Sequence, residues 1–244
     1  MGKVVIRDWQ FTGLTEELAY VVGVYLGDGW IQGNSLALSV IDRDFVEYFR
    51  NCVMKLGSQF QDIPPIYERH RVQFNKLRIN FDFKFGCAEL CRWLKEITEL
   101  KTRVPRVIMD SDPSIIKAFL LGIMDSEGYI SKSAKPAFQN GNYRFLLGVA
   151  MSEAGIMQQV KKLYEKLDIM VGNLLVKHEN YRNPDYKDMF SFTINIRSYI
   201  SKGMFFTSTR KSDRLRLYLK TKHPNDTIPS TTLHYPAQVA EDKV

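Results

Sequence analysis

Two stretches decide how this chain reads: Leu18-Ala19-Tyr20-Val21-Val22-Gly23-Val24-Tyr25-Leu26-Gly27-Asp28-Gly29-Trp30 and Lys117-Ala118-Phe119-Leu120-Leu121-Gly122-Ile123-Met124-Asp125-Ser126-Glu127-Gly128-Tyr129. They are one pattern at an offset of 99 residues, so Ala19 answers to Ala118, Gly23 to Gly122, Gly27 to Ser126 and Asp28 to Glu127. Small residues at i, i+4 and i+8 share one face of a helix. A flat stripe of this kind lets two helix backbones approach closely, a geometry best documented in membranes. Ala19, Gly23, Ala118 and Gly122 are therefore read as a helix–helix interface. Each copy ends in an acid followed by Gly, which suits a left-handed cap. Asp28 and Glu127 then sit at the negative poles of their helices, where an acid is unfavourable by a few tenths to about 1 kcal/mol. Two acids brought together cost more, unless a cation lies between them.

Outward from the two stretches, the pattern continues to repeat. Residues 1–14 read as a short extended arm, with Thr15 as N-cap of the first helix and Glu16 and Glu17 favouring its first turn. Trp30 to Gln32 and Ser35 to Ile41 flank a Gly33-Asn34 turn, and Leu36, Leu38 and Val40 alternate with Ser35, Ala37 and Ser39. Asp42 to Leu56 carries Phe45, Phe49, Cys52 and Leu56 on one helical stripe and stops at Gly57. Beyond a Pro64-Pro65 hinge, Ile66 to Arg71 and Leu77 to Phe83 read as a hairpin, with Leu77, Ile79, Phe81 and Phe83 alternating against Arg78, Asn80 and Asp82. A helix from Gly86 to Leu100 closes the half. Residues 101–112, broken by Pro105 and Asp110, link to Asp112-Pro113, an N-cap and N1 pair for the second motif helix. The second half repeats with a hairpin (Tyr129–Ile130 and Arg144 to Met151), a helix (Glu153 to Leu167), a hairpin (Asn173 to Glu179 and Met189 to Ile196) and a basic helix from about Lys211. The expected fold is α+β: two pseudo-symmetric αββαββα halves, each an antiparallel four-stranded sheet backed by helices, joined at a two-helix interface. The boundaries read as 1–104, 105–222 and a loose aperiodic tail at 223–244.

The paired stretches resemble the motifs of the LAGLIDADG homing endonucleases, in the single-chain form with two motifs. One apolar helix ending in Asp-Gly would be weak grounds; two, each followed by the same succession of elements over roughly residues 12–220, are strong. The resemblance implies motif glycines at Gly23 and Gly122 and catalytic metal-binding acids at Asp28 and Glu127. The inner motif acid is present as Asp125 in the second copy and replaced by Leu26 in the first, at a position that varies in the family. The resemblance also implies one lysine near the site in each half, after its last helix, for which Lys101 and Lys211 are the matches; solvated helix-end charges remain the alternative reading of both. The helix-start residues Asp42 and Glu153 fall where the family often keeps a polar residue near the scissile phosphates. The expected cofactor is Mg2+, or Mn2+, with Ca2+ binding but not supporting cleavage.

Phosphodiester hydrolysis needs an activated water and relief of phosphate charge, and hard cations held by carboxylates supply both. Backbone carbonyls at Gly27 and Ser126 lie beside the acids as further oxygen donors. The alternative for Asp28 and Glu127 is a pair of ordinary helix-end acids capping a loop. A two-stranded ribbon fits the major groove, so the outward hairpin faces are the expected DNA contacts. These are Ser35, Ser39, Arg69, Arg71, Arg78 and Asn80 in the first half. In the second they are Lys132, Lys135, Gln139, Asn142, Arg144, Lys177, Ser191, Thr193 and Asn195. A solvated polar face is the alternative for any one of them.

Composition agrees with this without deciding it. The chain has 244 residues, 45% hydrophobic and 25% charged, as in an ordinary globular protein. Its net charge of +7 suits a polyanion and is uneven, +1 over residues 1–110 and +6 over 111–244. The cysteines Cys52, Cys87 and Cys91 have no framework spacing and point to a reducing, intracellular compartment, the cytoplasm or nucleoid before an organelle. There is no signal-peptide core and no apolar run of membrane length. The Met start and absence of splicing blocks are read as favouring a free-standing or intron-encoded enzyme over an intein. The function expected is a site-specific, divalent-metal-dependent DNA endonuclease acting as a monomer on duplex DNA, without an obligate protein partner or a membrane. The rivals are an RNA-binding maturase that assists its host intron and a DNA-binding regulator without catalysis.

Overall fold

The computed structural model describes residues 9–57, 64–73, 76–133, 144–178 and 187–221. The expected tail at 223–244, the loops at 134–143 and 179–186, and with them Lys135, Gln139 and Asn142, lie outside the described residues. The first half runs α1 (Glu16–Leu26), β1 (Trp30–Gln32), β2 (Ser35–Val40), α2 (Arg43–Lys55), β3 (Tyr67–Gln73), β4 (Lys76–Gly86) and α3 (Ala88–Ile97). A single turn, α4 (Arg106–Met109), forms between the breakers Pro105 and Asp110. The second half runs α5 (Pro113–Glu127), β5 (Gly128–Lys132), β6 (Phe145–Met151), α6 (Ala154–Lys166), β7 (Leu175–Lys177), β8 (Met189–Ile194), α7 (Ile196–Ser201) and α8 (Thr209–Lys220). Both sheets are antiparallel with the same order, β1-β2-β4-β3 and β5-β6-β8-β7. This is the expected α+β plan of two matching halves.

The two motif helices form the seam. From Leu18 to Leu26 every residue of α1 is buried, which its apolar composition on all sides allows. A Cβ on Gly23 would lie 2.3 Å from the Phe119 carbonyl oxygen, and one on Gly122 would lie 2.4 Å from that of Tyr20. The small residues are thus spaces through which backbone meets backbone. One continuous core draws on both halves, with Leu36, Leu38, Phe83 and Phe85 under the first sheet and Leu147, Val149 and Phe192 under the second. Cys52, Cys87 and Cys91 are buried in it, and no disulfide forms among the described residues. No described helix is long and apolar enough to cross a membrane.

Three expectations are corrected. The glycines after the acids are not left-handed caps: Gly128 has φ −78° and Gly29 is not among the positive-φ residues, while the α1 C-cap is Gly27, with φ −85°. Glycine is required there by crowding, because the chain turns straight back along its own helix. A Cβ on Gly29 would come 2.9 Å from the Tyr25 Cα, and one on Gly128 would come 2.5 Å from the Met124 carbonyl oxygen. The last strand ends at Ile194 and not Ile196; Asn195 caps α7, its side chain accepting from the Ser198 amide, and Ile196 is buried on that helix. Finally, Leu77 and Ile79 share the face of the buried Phe83 and Phe85 but are 64% and 39% exposed, because this end of the hairpin runs past the covering helices.

Candidate metal and nucleic-acid site

Both motif acids emerge where the seam reaches the surface between the sheets. α5 stays helical through Glu127, whereas α1 stops at Leu26 and leaves Asp28 in the following turn. Here the Gly27 backbone lies against side chains of the other helix, since a Cβ on Gly27 would meet the Ser126 Cβ at 2.4 Å and the Glu127 Cγ at 3.1 Å. Asp28 keeps solvent access on the wall of a cavity of about 350 Å³, while Glu127 is half-buried. Ser39, Asp42 and Asn80 of the first half and Ser126, Tyr129, Lys211 and Arg214 of the second also line this cavity.

Lys101 and Lys211 are both brought to the acids. The Lys101 ammonium donates to the carbonyls of Gly27 at 2.8 Å and Gly29 at 3.1 Å and lies over the Tyr25 ring. The Lys211 ammonium, almost fully buried, donates to the carbonyls of Asp125 at 2.6 Å and Met124 at 3.0 Å. Each lysine therefore caps the carboxyl end of a motif helix, where a cation is favoured. They arrive by different routes. Lys211 is on the first turn of α8, capped by the Ser208 hydroxyl. Lys101 ends a run of three left-handed residues, Glu99, Leu100 and Lys101, with φ of 46°, 59° and 69°. Left-handed backbone is disfavoured for residues with a Cβ, at about 1–3 kcal/mol each, and clusters at functional sites.

The four charges perturb one another. Burial raises the Asp28 carboxyl, against the pull of Lys211 and Lys101. Glu127 is pushed up to about 7, first by burial and then by the Asp28 charge, with both lysines opposing. Burial lowers both lysines; Glu127 and Asp28 partly restore Lys101, and Asp125, Asp42 and Asp28 partly restore Lys211. Two neighbouring carboxylates that repel each other are a place where a cation substitutes for a proton. Their all-oxygen chemistry fits a hard divalent ion. Among the described residues no three His, Cys, Asp or Glu side chains form a metal cage by themselves. Of the two backbone carbonyls expected as ligands, that of Gly27 already accepts from Lys101; the Ser126 side chain is separately engaged, its hydroxyl donating to the Gly122 carbonyl at 3.0 Å.

The inner acid Asp125 is not at the surface. It is 2% exposed and accepts from the Tyr20 hydroxyl at 2.9 Å, the Thr207 amide at 2.9 Å and the Thr207 hydroxyl at 2.7 Å. Burial raises it to about 6 despite these donors and Lys211. It ties α1, α5 and the segment before α8 together. Asp42 and Glu153 part company. Asp42 receives a bidentate grip from Arg210 at 2.9 and 2.8 Å, across the two halves, whereas Glu153 meets Lys187 of its own half at 3.3 Å. Burial alone would raise Asp42, but the hydrogen bond and charge of Arg210 prevail and hold it low. Next to this grip, the Thr209 amide donates to Asp44, so the start of α8 is fastened to the start of α2.

By register, Ser35, Ser39, Arg69, Arg78 and Asn80 lie on the outward face of the first sheet, and Arg71 occupies a position of the same parity. Three of them already have partners. Asp82 on this face accepts from Ser39 and pairs with Arg69, and Asn80 donates to the Ser39 hydroxyl at 3.4 Å. On the second sheet Lys177, Ser191 and Thr193 face outward, and Arg144 extends that ladder opposite Ser133. Lys132 does not: it shares the parity of the buried Ile130 and is exposed only because it ends the strand. Asn195 is off the sheet, as the α7 cap. The sequence reading missed Trp30, Gln32, Tyr67 and Lys84, which share the outward face with Ser35 and Asn80. The period-2 pattern of β1 and β4 carried that signal.

No family model matches the chain. The chain is 24% identical over 223 residues to the uncharacterized protein MJ0398 of Methanocaldococcus jannaschii, covering 84% of this chain and 72% of that one. Among solved structures it resembles I-DmoI, in complex with DNA and Mn, with a TM-score of 0.50 and 11% identity over 78% of this chain and 94% of that one. It equally resembles the homing endonuclease I-WcaI, bound to its DNA recognition sequence, with a TM-score of 0.50 and 12% identity over 79% of this chain and 83% of that one. Both neighbours are LAGLIDADG homing endonucleases, and the paired motif helices under two matching sheets give this chain the LAGLIDADG fold.

Proposed function

We propose that this protein is a site-specific DNA endonuclease of the homing type, which cuts both strands of a long target and acts as a monomer. One observation carries the reading: two acids at repeat-related helix ends share one electrostatic neighbourhood with two lysines held on the carbonyls beside them. The DNA-bound states of I-DmoI and I-WcaI support it. Asp28 and Glu127 would hold a divalent cation, Mg2+ or Mn2+. When bound, that ion relieves charge at the phosphate and lowers the pKa of a water. Lys101 and Lys211 fix the helix ends that carry the acids, and each places an ammonium beside the phosphate path. The outward faces of the two sheets meet the major groove on either side, with Arg78 and Arg144 toward base edges. Two motifs in one chain supply one acid for each strand, so no second copy is needed.

The test is cleavage of a plasmid bearing the intron-less host locus, with and without Mg2+. Asp28→Asn and Glu127→Gln should each abolish double-strand cleavage while leaving DNA binding within a few fold. Normal cleavage by both variants would defeat the metal assignment. Binding without cleavage by the wild type would favour a DNA-binding regulator.

A further inference from the structure

If the outward sheet faces meet duplex DNA, as proposed above, then Trp30 has a chemistry that its surroundings do not explain. It stands two residues past Asp28, on the outward face of β1, and is 42% exposed. Its cross-strand partner is Ala37, too small to cover an indole. The neighbours on that face are polar: Gln32, Ser35 and Lys84, with the Lys84 ammonium donating to the Gln32 side chain at 3.1 Å. The 99-residue offset puts Tyr129 at the matching place, two residues past Glu127 and outward on β5. There the ring lies over Gly148, whose missing Cβ would come within 2.6 Å of the Tyr129 hydroxyl. The two halves thus present an aromatic ring at the same station beside each acid, Tyr129 over a glycine and Trp30 opposite an alanine with two fifths of its surface exposed. Single exposed tryptophans are ordinary; a repeat-related aromatic pair flanking two acids is a patterned feature.

We propose that Trp30 is a specificity-determining contact, its indole stacking against the base step beside the scissile phosphate on the first-half side. Stacking an indole on a base requires that its step open, at a cost that depends on the step. Pyrimidine–purine steps yield most easily to this. The preferred substrate is therefore duplex DNA with a deformable pyrimidine–purine step on that side of the cut, selected by shape and not by hydrogen bonds. Tyr129, flattened on Gly148, makes the weaker demand on the other side.

The experiment uses the full chain, Ca2+ in place of Mg2+, and a pool of fully randomised duplexes. Bound sequences are recovered and read, and binding is followed by anisotropy and by tryptophan emission. Trp9 and Trp93 pack against each other with centroids 5.4 Å apart and stay in every variant, so the difference between wild type and Trp30→Phe isolates Trp30. Wild type should enrich a pyrimidine–purine step on one side of the centre, and DNA should quench its emission; Trp30→Phe should keep the enrichment and lose the quench. Trp30→Ala should lose the central enrichment, keep the outer positions, and bind selected sites about tenfold more weakly, the size of one base–aromatic stack. Binding without a change in emission, or an unaltered central step in Trp30→Ala, overturns the proposal. Failure of the wild type to bind the pool at all would overturn the DNA reading and this proposal with it.

Discussion

A single methyl at Gly23 tests the seam. In Gly23→Ala the new Cβ would lie 2.3 Å from the Phe119 carbonyl oxygen and 3.1 Å from both the Gly122 Cα and the Ile123 nitrogen. Ordinary contact begins near 3.4 Å, and every atom met is backbone, so no side chain can swing away. The helices must part by about 1 Å, a gap that forfeits a quarter to a half of each dispersion contact it opens. Overpacking typically destabilises by about 1–3 kcal/mol, and a backbone-on-backbone clash sits at or above the top of that range. Replacing Gly by Ala in a helix returns about 1 kcal/mol. The net loss is about 2–3 kcal/mol, or about 5–10 °C in melting temperature for a chain of this size. Differential scanning calorimetry reads it directly. Gly155→Ala is the control, because its Cβ would meet only the Thr102 carbonyl, at an ordinary 3.5 Å. If Gly23→Ala melted at or above the wild type, the two helices would not be in backbone contact and the seam would be misassigned.

The remaining predictions follow from the charges. Asp125→Ala strands the Tyr20 hydroxyl and the Thr207 amide and hydroxyl in the interior; a loss of about 2–5 kcal/mol in denaturant melts is expected, and an unchanged midpoint would contradict it. Glu127 rises from 4.5 to about 7 and Asp125 from 3.8 to about 6. The folded state therefore holds protons that the unfolded state has released, and metal-free stability should fall as pH rises from about 4 to 7. Each pH unit is worth about 1.4 kcal/mol per group, so Glu127→Gln should flatten the upper part of that fall and Mg2+ should offset it above pH 7. A metal-free protein that gains stability over this window would refute the assignment. Lys101→Met removes the one ammonium that donates to both the Gly27 and Gly29 carbonyls; cleavage should slow by about 100-fold, the scale of one lost preorganised donor, with binding constants nearly unchanged.

What the sequence disclosed is what local periodicity can carry. Gly23 and Gly122 are four residues from their fellow small residues, so the stripe is visible before the partner helix is known. The outward parity of Ser39, Arg78 and Asn80 follows from a period of two in the same way. What stayed hidden depends on residues far apart in the chain. The Arg210 grip on Asp42 spans 168 positions, and the Thr207 bonds to Asp125 span 82. Nothing in a linear pattern announces either. Asn195 misled because Phe190, Phe192, Ile194 and Ile196 keep a period of two straight through a helix cap. Ile196 is buried for a different reason from Phe192: it faces the core from α7 and not from the sheet. Lys132 misled in the opposite sense, since its charge suggested an outward position that its register does not give.

The left-handed run at Glu99, Leu100 and Lys101 makes this short segment a ruler. α3 ends at Ile97, and the chain must then deliver one ammonium to two particular carbonyls within four residues. Had α3 continued regularly, each added residue would have carried the lysine 1.5 Å further along and about 100° around the axis. The three unwound residues halt that rotation. Insertions are generally well tolerated in surface loops, but here one extra residue would point the ammonium away from Gly27. The halves are therefore unequal in how they can diverge. The route to Lys211 is a capped helix start, whereas the route to Lys101 is fixed in length. Descendants of this chain should keep Lys101 and the count of residues that leads to it.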